Sequence, residues 1–375
     1  MAITTRKELL DRLENNSVNI KNMNLEIKKS RKEDNLKDFY NLFNQFNDED
    51  YLMAIKETMD YFIEKKWDNV AKKLISDIIN STGNRGSFFE LMGYYWFIKN
   101  RIRFSPQIEI SEEECFKRNK YDADGIIEEG SIVFDIKTFG TGTSIINDFE
   151  KLLNDKIRRE RKISGYFCYV SGDLSQGDEK VQKDCFKKVD EIIEELLKHK
   201  TYDSYIYKIP KIGLELRMEP SNVRYYSPIS ELDIYKWAKE NEFCFMKDAS
   251  QFTRQKPYVL IALFDKYSNR IIHTNKNYYN NLILRTLCRR IFMNLPNINS
   301  KKLIDFDKKA VEDITIAEVS KKISGIIFMD SSNNFKESIY TYINPNADNK
   351  LKNYQVDIIF KQNGAYIDDF KYDNY

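Results

Sequence analysis

Histidine, cysteine, glycine and proline are scarce in this 375-residue chain, and each shortage excludes a class of protein. The two histidines, His199 and His273, lie far apart in sequence, which excludes a zinc site with several histidine ligands and most histidine-based triads. The five cysteines are odd in number and form no C-x-x-C pair, so we expect neither a disulfide framework nor a cysteine zinc site. Catalysis would therefore have to use carboxylates, lysines and a metal ion.

A strong net charge is also missing, because 60 basic side chains are balanced by 58 acidic ones. The total therefore gives no sign of a strongly basic nucleic-acid-binding protein, and any basic surface must come from clustering. Residues 1–7 contain no apolar segment typical of a signal peptide, and no run of 18 apolar residues occurs. We therefore expect a cytoplasmic protein that does not enter the membrane.

The spacing of apolar residues divides the chain into three regions. Residues 1–80 carry apolar side chains at helical spacing, which predicts a helical N-terminal region. Residues 81–200 begin with a helix that is apolar almost all round, and alternating strand patterns and amphipathic helices follow. Residues 201–375 contain further apolar strands, and no linker rich in proline, glycine or serine separates them from the middle region. This order predicts an α/β (α+β) fold with a central mixed β-sheet flanked by helices, and a C-terminal region packed on it.

Individual elements follow from the same patterns. In the middle region we expect strands at 107–110, 121–127, 131–138 and 165–170, and helices at 87–99, 145–161 and 183–198. In the last region we expect two strands within 205–216, strands at 258–264, 325–329 and 339–343, and a helix at 278–293.

The segment 121–137 holds the most informative pattern. A two-residue loop at 129–130 (Glu-Gly), with glycine where a positive φ is needed, predicts a β-hairpin. In that register Asp124 lies opposite Asp135, and such opposed residues share a face with Cβ atoms about 4.5–5.5 Å apart. Lys137 lies two residues beyond Asp135 and therefore on the same face. The hairpin thus predicts that two carboxylates and an amine meet on one patch.

Two carboxylates this close repel each other unless a proton or a cation lies between them. A hard divalent ion such as Mg²⁺ takes oxygen ligands and keeps several waters, so two carboxylates and a phosphate oxygen would suit it. Lys137 would then orient the attacking water or stabilise developing negative charge. The alternative is an ordinary hairpin with its polar face in water, in which Asp122 lies opposite Lys137 and forms a cross-strand ion pair.

The arrangement resembles the PD-(D/E)xK nuclease superfamily, the fold of many restriction endonucleases and DNA-repair nucleases. The signature is an acid, then acid-x-Lys on an adjacent strand, preceded by a helix that carries a glutamate. Asp124 matches the first acid, residues 135–137 (Asp-Ile-Lys) match the second part, and Glu90 matches the helix acid. The chain departs from the signature at Ala123, where proline is usual, and in having aspartate where glutamate is commoner.

The resemblance implies a Mg²⁺-dependent nuclease, with Mn²⁺ able to replace Mg²⁺. It implies catalytic roles for Glu90, Asp124, Asp135 and Lys137, and a metal ion held by the three acids and the backbone carbonyl of Ile136. It also implies a restriction-endonuclease-like core at 81–200, with the flanking regions serving in recognition or assembly. DNA is the implied substrate and bacterial restriction or anti-phage defence the implied setting, and scission of both strands would favour a homodimer.

Glu90 supports this interpretation independently, because it lies among Phe88, Phe89, Leu91 and Met92 on a helix predicted to be buried. A carboxylate in such surroundings is costly unless it is paired or metal-bound. The alternative is a glutamate at the exposed edge of the helix, paired with Arg85 or Arg101.

Five residues after the motif are candidates for nucleic-acid contact: Thr141, Lys151, Lys156, Arg158 and Arg159. Thr141 lies in a Gly/Thr-rich loop that would approach the sugar-phosphate backbone, and the basic residues of the next helix would neutralise phosphates. The alternative for the helix is a solvated face whose lysines and arginines are balanced by neighbouring acids.

Two other functions compete with a nuclease. The first is a non-catalytic nucleic-acid-binding or assembly module that keeps the nuclease fold, and the second is a hydrolase of another substrate with the same metal site. All four positions of the family signature are filled, which favours an active nuclease.

Overall fold

The computed structural model describes residues 5–28, 45–46, 48–80, 84–116, 120–139, 142–172, 188–198, 205–208, 214–220, 234–246, 251–265, 277–298, 314–335, 339–360 and 366–371. The chain divides into two compact units. The first contains Met1–Thr138, Glu242–Asp265 and Lys276–Tyr375, and the second contains Phe139–Asn241 and Lys266–Asn275. The second unit is therefore made of two segments that are inserted in the chain of the first, and the longer one is Phe139–Asn241.

The described chain begins with helices, continues with three strands, and then mixes helices and strands. The helices are α1 (Arg6–Asn16), α2 (Val18–Asn22), α3 (Glu49–Glu64), α4 (Asp68–Asn80), α5 (Asn84–Lys99), α6 (Gly142–Ile157), α7 (Val189–Lys198), α8 (Ile234–Asn241), α9 (Asn277–Arg289, continued by a π-helical turn at Arg290–Asn294), α10 (Ile316–Lys322) and α11 (Asn353–Phe360). The strands are β1 (Phe104–Ile110), β2 (Tyr121–Ile127), β3 (Ile132–Thr138), β4 (Tyr166–Gly172), β5 (Tyr205–Lys208), β6 (Leu214–Pro220), β7 (Tyr258–Phe264), β8 (Gly325–Asp330), β9 (Ile339–Ile343) and β10 (Tyr366–Asp368).

A mixed sheet of seven strands runs through the first unit in the order β1-β2-β3-β7-β8-β9-β10. The β3–β7, β7–β8 and β9–β10 pairs are parallel, and the other three pairs are antiparallel. Every residue of β7 and β8 is buried, which explains why β7 and residues 325–329 of β8 are continuous apolar runs without polar alternation.

The N-terminal helices share one apolar core with the sheet. Buried side chains of α1, α3, α4 and α5 belong to the same cluster as Phe134, Ile136 and Ile261 on one face of β3 and β7. α5 packs most closely, because Gly93 lies directly over β3, where a Cβ atom would be 2.6 Å from Cδ1 of Ile136. Five aromatic residues around Phe104 complete this core: Tyr94 and Tyr61 stack on its ring, and Phe62, Phe97 and Trp67 tilt against it.

The second unit has its own sheet and core. Its three strands pair antiparallel in the order β4-β6-β5, and apolar residues of α6 and α7 pack with β4 and β6. Asn154 of α6 ties helix to strand, since its side chain donates to the Cys168 carbonyl and accepts from the Cys168 amide, both at 2.8 Å.

The prediction of an α/β fold with a mixed sheet flanked by helices is confirmed. The two units do not follow the predicted boundaries at residues 80 and 200, because the N-terminal helices share the core of the sheet and residues 139–241 form the separate unit. The strand predicted at 165–170 is β4, which lies in the second unit, and the neighbour of β3 in the large sheet is β7. Parallel neighbouring strands require a crossover connection. Between β3 and β7 this connection contains residues 139–241 of the second unit. No helix in the described part of the chain combines the length and apolar character that crossing a bilayer requires.

Candidate active site

The two strands that carry the acids diverge where the motif begins. The β2–β3 ladder ends at the pair Gly125–Phe134. Beyond it β2 stays paired with β1, while β3 stays paired with β7. Gly125 allows this tight junction, since a Cβ there would lie 2.5 Å from the Phe134 ring and 2.6 Å from a β1 carbonyl oxygen. Asp124 and Asp135 therefore stand at the opening of a gap between the strands.

The two aspartates supply the hydrogen bonds that the ladder no longer makes. The backbone N–H of Asp124 donates to Oδ1 of Asp135 at 3.0 Å, and the backbone N–H of Ile136 donates to Oδ2 of Asp124 at 2.7 Å. An unpaired buried N–H is costly, so each carboxylate satisfies a donor on the opposite strand. The exchange holds the two acids together across the gap.

Asp135 is the more enclosed of the two, with none of its surface exposed. The Tyr121 hydroxyl donates to Oδ1 at 3.1 Å, and the Tyr258 hydroxyl donates to Oδ2. Both carboxylate oxygens of Asp135 are therefore engaged, whereas Asp124 is partly exposed.

Glu90 reaches the pair through a tyrosine of its own helix. Tyr94 lies four residues later on the same side of α5. Its hydroxyl oxygen is 2.9 Å from Oε1 of Glu90 and 2.6 Å from the carbonyl oxygen of Asp124. The phenol has one proton, and it donates this proton to the Asp124 carbonyl, because a carbonyl oxygen only accepts. Both bonds therefore form fully when the Glu90 carboxyl carries a proton that it donates to the Tyr94 oxygen.

Lys137 lies two residues after Asp135 on β3. Its amine donates to Oε1 of Gln251 at 2.5 Å. The segment that follows Gln251 is anchored by backbone bonds, including a donor from Phe116 to the Phe252 carbonyl at 2.8 Å. A fixed acceptor therefore orients the lysine amine.

Burial dominates the electrostatics of the three acids. It raises the pKa of Glu90, raises that of Asp124 well above its usual range, and raises that of Asp135. The charge of Asp135 raises the pKa of Asp124 further, followed by the charge of Glu90, while Lys137 lowers the pKa of both aspartates. In the absence of a cation the site therefore favours retaining protons.

The donor set fits a hard divalent ion. Within the described residues no three or more histidine, cysteine or acidic side chains are already arranged to hold a metal ion. Mg²⁺ nevertheless needs only one or two carboxylates when waters and phosphate oxygens complete its sphere. Oδ1 of Asp124 and Oε2 of Glu90 accept no hydrogen bond from any described residue, so each has an oxygen available for an ion.

The structure brings together Glu90, Asp124, Asp135 and Lys137, as the sequence predicts, with the backbone of Ile136 between the aspartates. The N–H and C=O of one strand residue point to the same neighbour, so the Ile136 carbonyl also faces the Asp124 side.

Two details of the predicted hairpin are wrong. The loop has four residues, 128–131, and the positive φ of 49° belongs to Ser131, not to glycine. Asp124 still comes opposite Asp135, because loops of two and four residues centred on one point leave the register unchanged. Asp122 is exposed, and no ion pair among the described residues joins it to Lys137.

The five residues predicted to contact nucleic acid have different outcomes in the structure. Thr141 lies outside the described residues, and Lys151 lies in α6 without a described side chain. Lys156 forms an ion pair with Asp190 of α7, and Arg158 lies 3.6 Å from Asp155. Arg159 is exposed. All five belong to the second unit, and the pairs of Lys156 and Arg158 match the alternative of a balanced helix face.

Sequence reasoning missed five side chains that contact the acids or Lys137: Tyr94, Gln107, Tyr121, Gln251 and Tyr258. Tyr94 had a detectable signal, because a residue four positions after a helical acid lies on the same face. Tyr258 looked like the first apolar residue of a buried strand, and nothing in the sequence links Gln251 to Lys137.

Comparison with known proteins gives no match, whether with family models, with curated sequences or with solved structures.

Proposed function

We propose that the protein is a divalent-metal-dependent endonuclease that hydrolyses phosphodiester bonds in DNA. One observation supports it most directly: an acid from a helix, two acids from diverging strands and a lysine form one connected group. Burial raises the pKa of all three acids, and perturbed acids around a strand junction are typical of functional sites. A role in restriction or anti-phage defence would suit such an enzyme.

Asp124 and Glu90 would hold Mg²⁺ or Mn²⁺ through their available oxygens, with the Ile136 carbonyl on the same side. When bound, the ion would neutralise charge on the phosphate and lower the pKa of a water molecule. Asp135 would act chiefly by fixing the backbone of Asp124, because both its oxygens already accept hydrogen bonds.

Lys137 would serve the reaction beside the two aspartates. Its charge lowers the pKa of Asp124 and Asp135, and Gln251 fixes its amine at 2.5 Å. An oriented ammonium group can stabilise the negative charge that develops on a phosphoryl oxygen or hold the attacking water.

A second function, a nucleic-acid-binding module without catalysis, is favoured by one feature. Asp135 is completely buried and saturated with hydrogen bonds, as a purely structural carboxylate would be. Such a module would bind nucleic acid without consuming it.

The test is a cleavage assay of the full chain on supercoiled plasmid, single-stranded DNA and RNA, with Mg²⁺, Mn²⁺ or EDTA. We expect metal-dependent cleavage of DNA that is lost in Asp124→Asn and Lys137→Met. Asp122→Asn is the matched control, since it removes an exposed acid two residues from Asp124. Binding without cleavage under every condition would favour the module, and equal cleavage by Asp124→Asn would overturn the site.

A further inference from the structure

Gln107 has a backbone conformation that is unusual for its position. Its φ is 48°, in the left-handed region, although it lies in the middle of β1. No other non-glycine residue inside a described strand has a positive φ. Residues other than glycine, asparagine and aspartate seldom adopt this conformation, and it persists only where the surrounding structure enforces it.

The distortion lies directly opposite Asp124. The β1–β2 ladder contains the pairs Pro106–Gly125 and Ile108–Ala123, and the intervening pair of Gln107 with Asp124 is missing. β1 thus lacks one residue pair at the position of Asp124, and its pairing with β2 continues beyond that position in the same register.

The side chain of Gln107 reaches the helix acid. Its Nε2 donates to Oε1 of Glu90 at 3.3 Å, and its Oε1 accepts from the amine of Lys73 at 3.4 Å. Glu90 Oε1 therefore lies between the hydroxyl of Tyr94 and the amide of Gln107, which leaves Oε2 directed elsewhere.

We propose that Gln107 is a positioning residue, whose strained backbone presents an amide that fixes the rotation of the Glu90 carboxylate for metal binding. The inference rests on the proposed function, because it assigns Gln107 a purpose in the same site. Groups that orient a metal-binding carboxylate typically change metal affinity or activity about 10–100-fold when removed.

Two variants separate the effect of the Gln107 side chain from the effect of its backbone strain. Gln107→Gly suits a positive φ but removes the amide, and Gln107→Asn tolerates the conformation with an amide that is one methylene shorter. Lys66→Gly is the matched control, because Lys66 has a φ of 62° in an exposed turn after α3.

We expect Gln107→Gly to melt at or above the wild-type temperature, and to need about 10–100-fold more Mg²⁺ for half-maximal plasmid cleavage. Gln107→Asn should show the same metal defect, and it serves as the test if the glycine variant does not fold. Lys66→Gly should show the wild-type metal requirement. In a Glu90→Gln background, Gln107→Gly should cause no further loss, since Gln107 acts on the metal ion only through the Glu90 carboxylate.

Direct Mn²⁺ binding by calorimetry accompanies the cleavage assay. If wild type cleaves DNA and Gln107→Gly needs no more Mg²⁺ than wild type, the positioning role is overturned. The proposed function is then left intact. A further loss in the Glu90→Gln background also overturns it, because Gln107 would then act elsewhere. Wild type that neither cleaves DNA nor binds Mn²⁺ overturns the proposed function and this inference together.

Discussion

Replacing Glu90 with glutamine tests the electrostatics of the site and its proposed function in one variant. Burial raises the pKa of the Glu90 carboxyl, and the charge of Asp135 raises it further. Glutamine has nearly the same size, and its carbonyl oxygen can still accept from the Gln107 amide. The substitution therefore removes the charge and changes the shape of the side chain little.

The sign of the effect on stability follows from the raised pKa. A carboxyl with a higher pKa in the folded than in the unfolded protein stabilises the fold while protonated. That contribution is complete below the unfolded pKa, about 4.3 for glutamate, and is lost as pH rises through the folded pKa. Above the folded pKa the buried charge lowers the free energy of unfolding, so removing that charge raises it. We expect Glu90→Gln to unfold at a higher urea concentration than wild type at about pH 8, and at the same concentration near pH 4.

Urea unfolding in EDTA, followed by circular dichroism from about pH 4 to 8, measures this difference. Glu109→Gln is the control, because the Glu109 carboxylate is 63% exposed and lies 3.1 Å from the amine of Lys120. Its loss should change the free energy of unfolding by about 0–1 kcal/mol, without the rise toward pH 8. In the presence of Mg²⁺, Glu90→Gln should cleave plasmid at least about tenfold more slowly than wild type.

Either half of this result can fail by itself. A Glu90→Gln stability difference that stays constant across the pH range would refute the raised pKa. Cleavage at the wild-type rate would refute the place of Glu90 in the metal site, whatever its effect on stability.

Three further expectations concern the same group of residues. Tyr258→Phe removes the hydroxyl that donates to the buried Asp135 carboxylate; we expect a loss of about 1.5–3 kcal/mol in urea unfolding, and a smaller loss would mean that Asp135 is neutral. Gly93→Ala places a methyl group 2.6 Å from Cδ1 of Ile136 and should cost about 1–3 kcal/mol by urea unfolding. Adding Ile136→Val removes that carbon and should recover most of the loss, and a failure to recover it would implicate another contact. Mg²⁺ should raise the Tm of wild type more at about pH 8 than at pH 5, because binding must displace protons from carboxyls with raised pKa, and an equal rise in Asp124→Asn would show that the ion binds elsewhere.

The strand at 258–264 and the meeting of the acids could be predicted, and the reasons are physical. Seven consecutive apolar residues fit a strand covered on both faces, and β7 has the predicted bounds. The hairpin prediction succeeded for Asp124 and Asp135 because strand periodicity fixes which side chains are opposed, and an even-length loop preserves it.

What could not be predicted depends on contacts between distant parts of the chain. The left-handed φ of Gln107 has no signature in sequence, since glutamine has no preference for that conformation. The neighbour of β3 is a strand that comes more than 100 residues later, and no pattern in the sequence pairs 258–264 with 132–138. Gln251 is 114 residues from Lys137, and only the fold makes them neighbours.

The insertion of the second unit also sets an order of events during synthesis. Tyr121 precedes Asp135 by 14 residues, whereas Tyr258 follows it by 123 residues. At about 5–20 residues per second, a ribosome takes roughly 6–25 s to add the second tyrosine after the aspartate. Throughout that interval β3 has one open edge and Oδ2 of Asp135 lacks the hydrogen bond from Tyr258, while the intervening unit can complete its own small sheet. The nascent chain therefore carries every residue of the acid-x-Lys motif long before it can assemble them, and any activity must await the strand that arrives after the insertion.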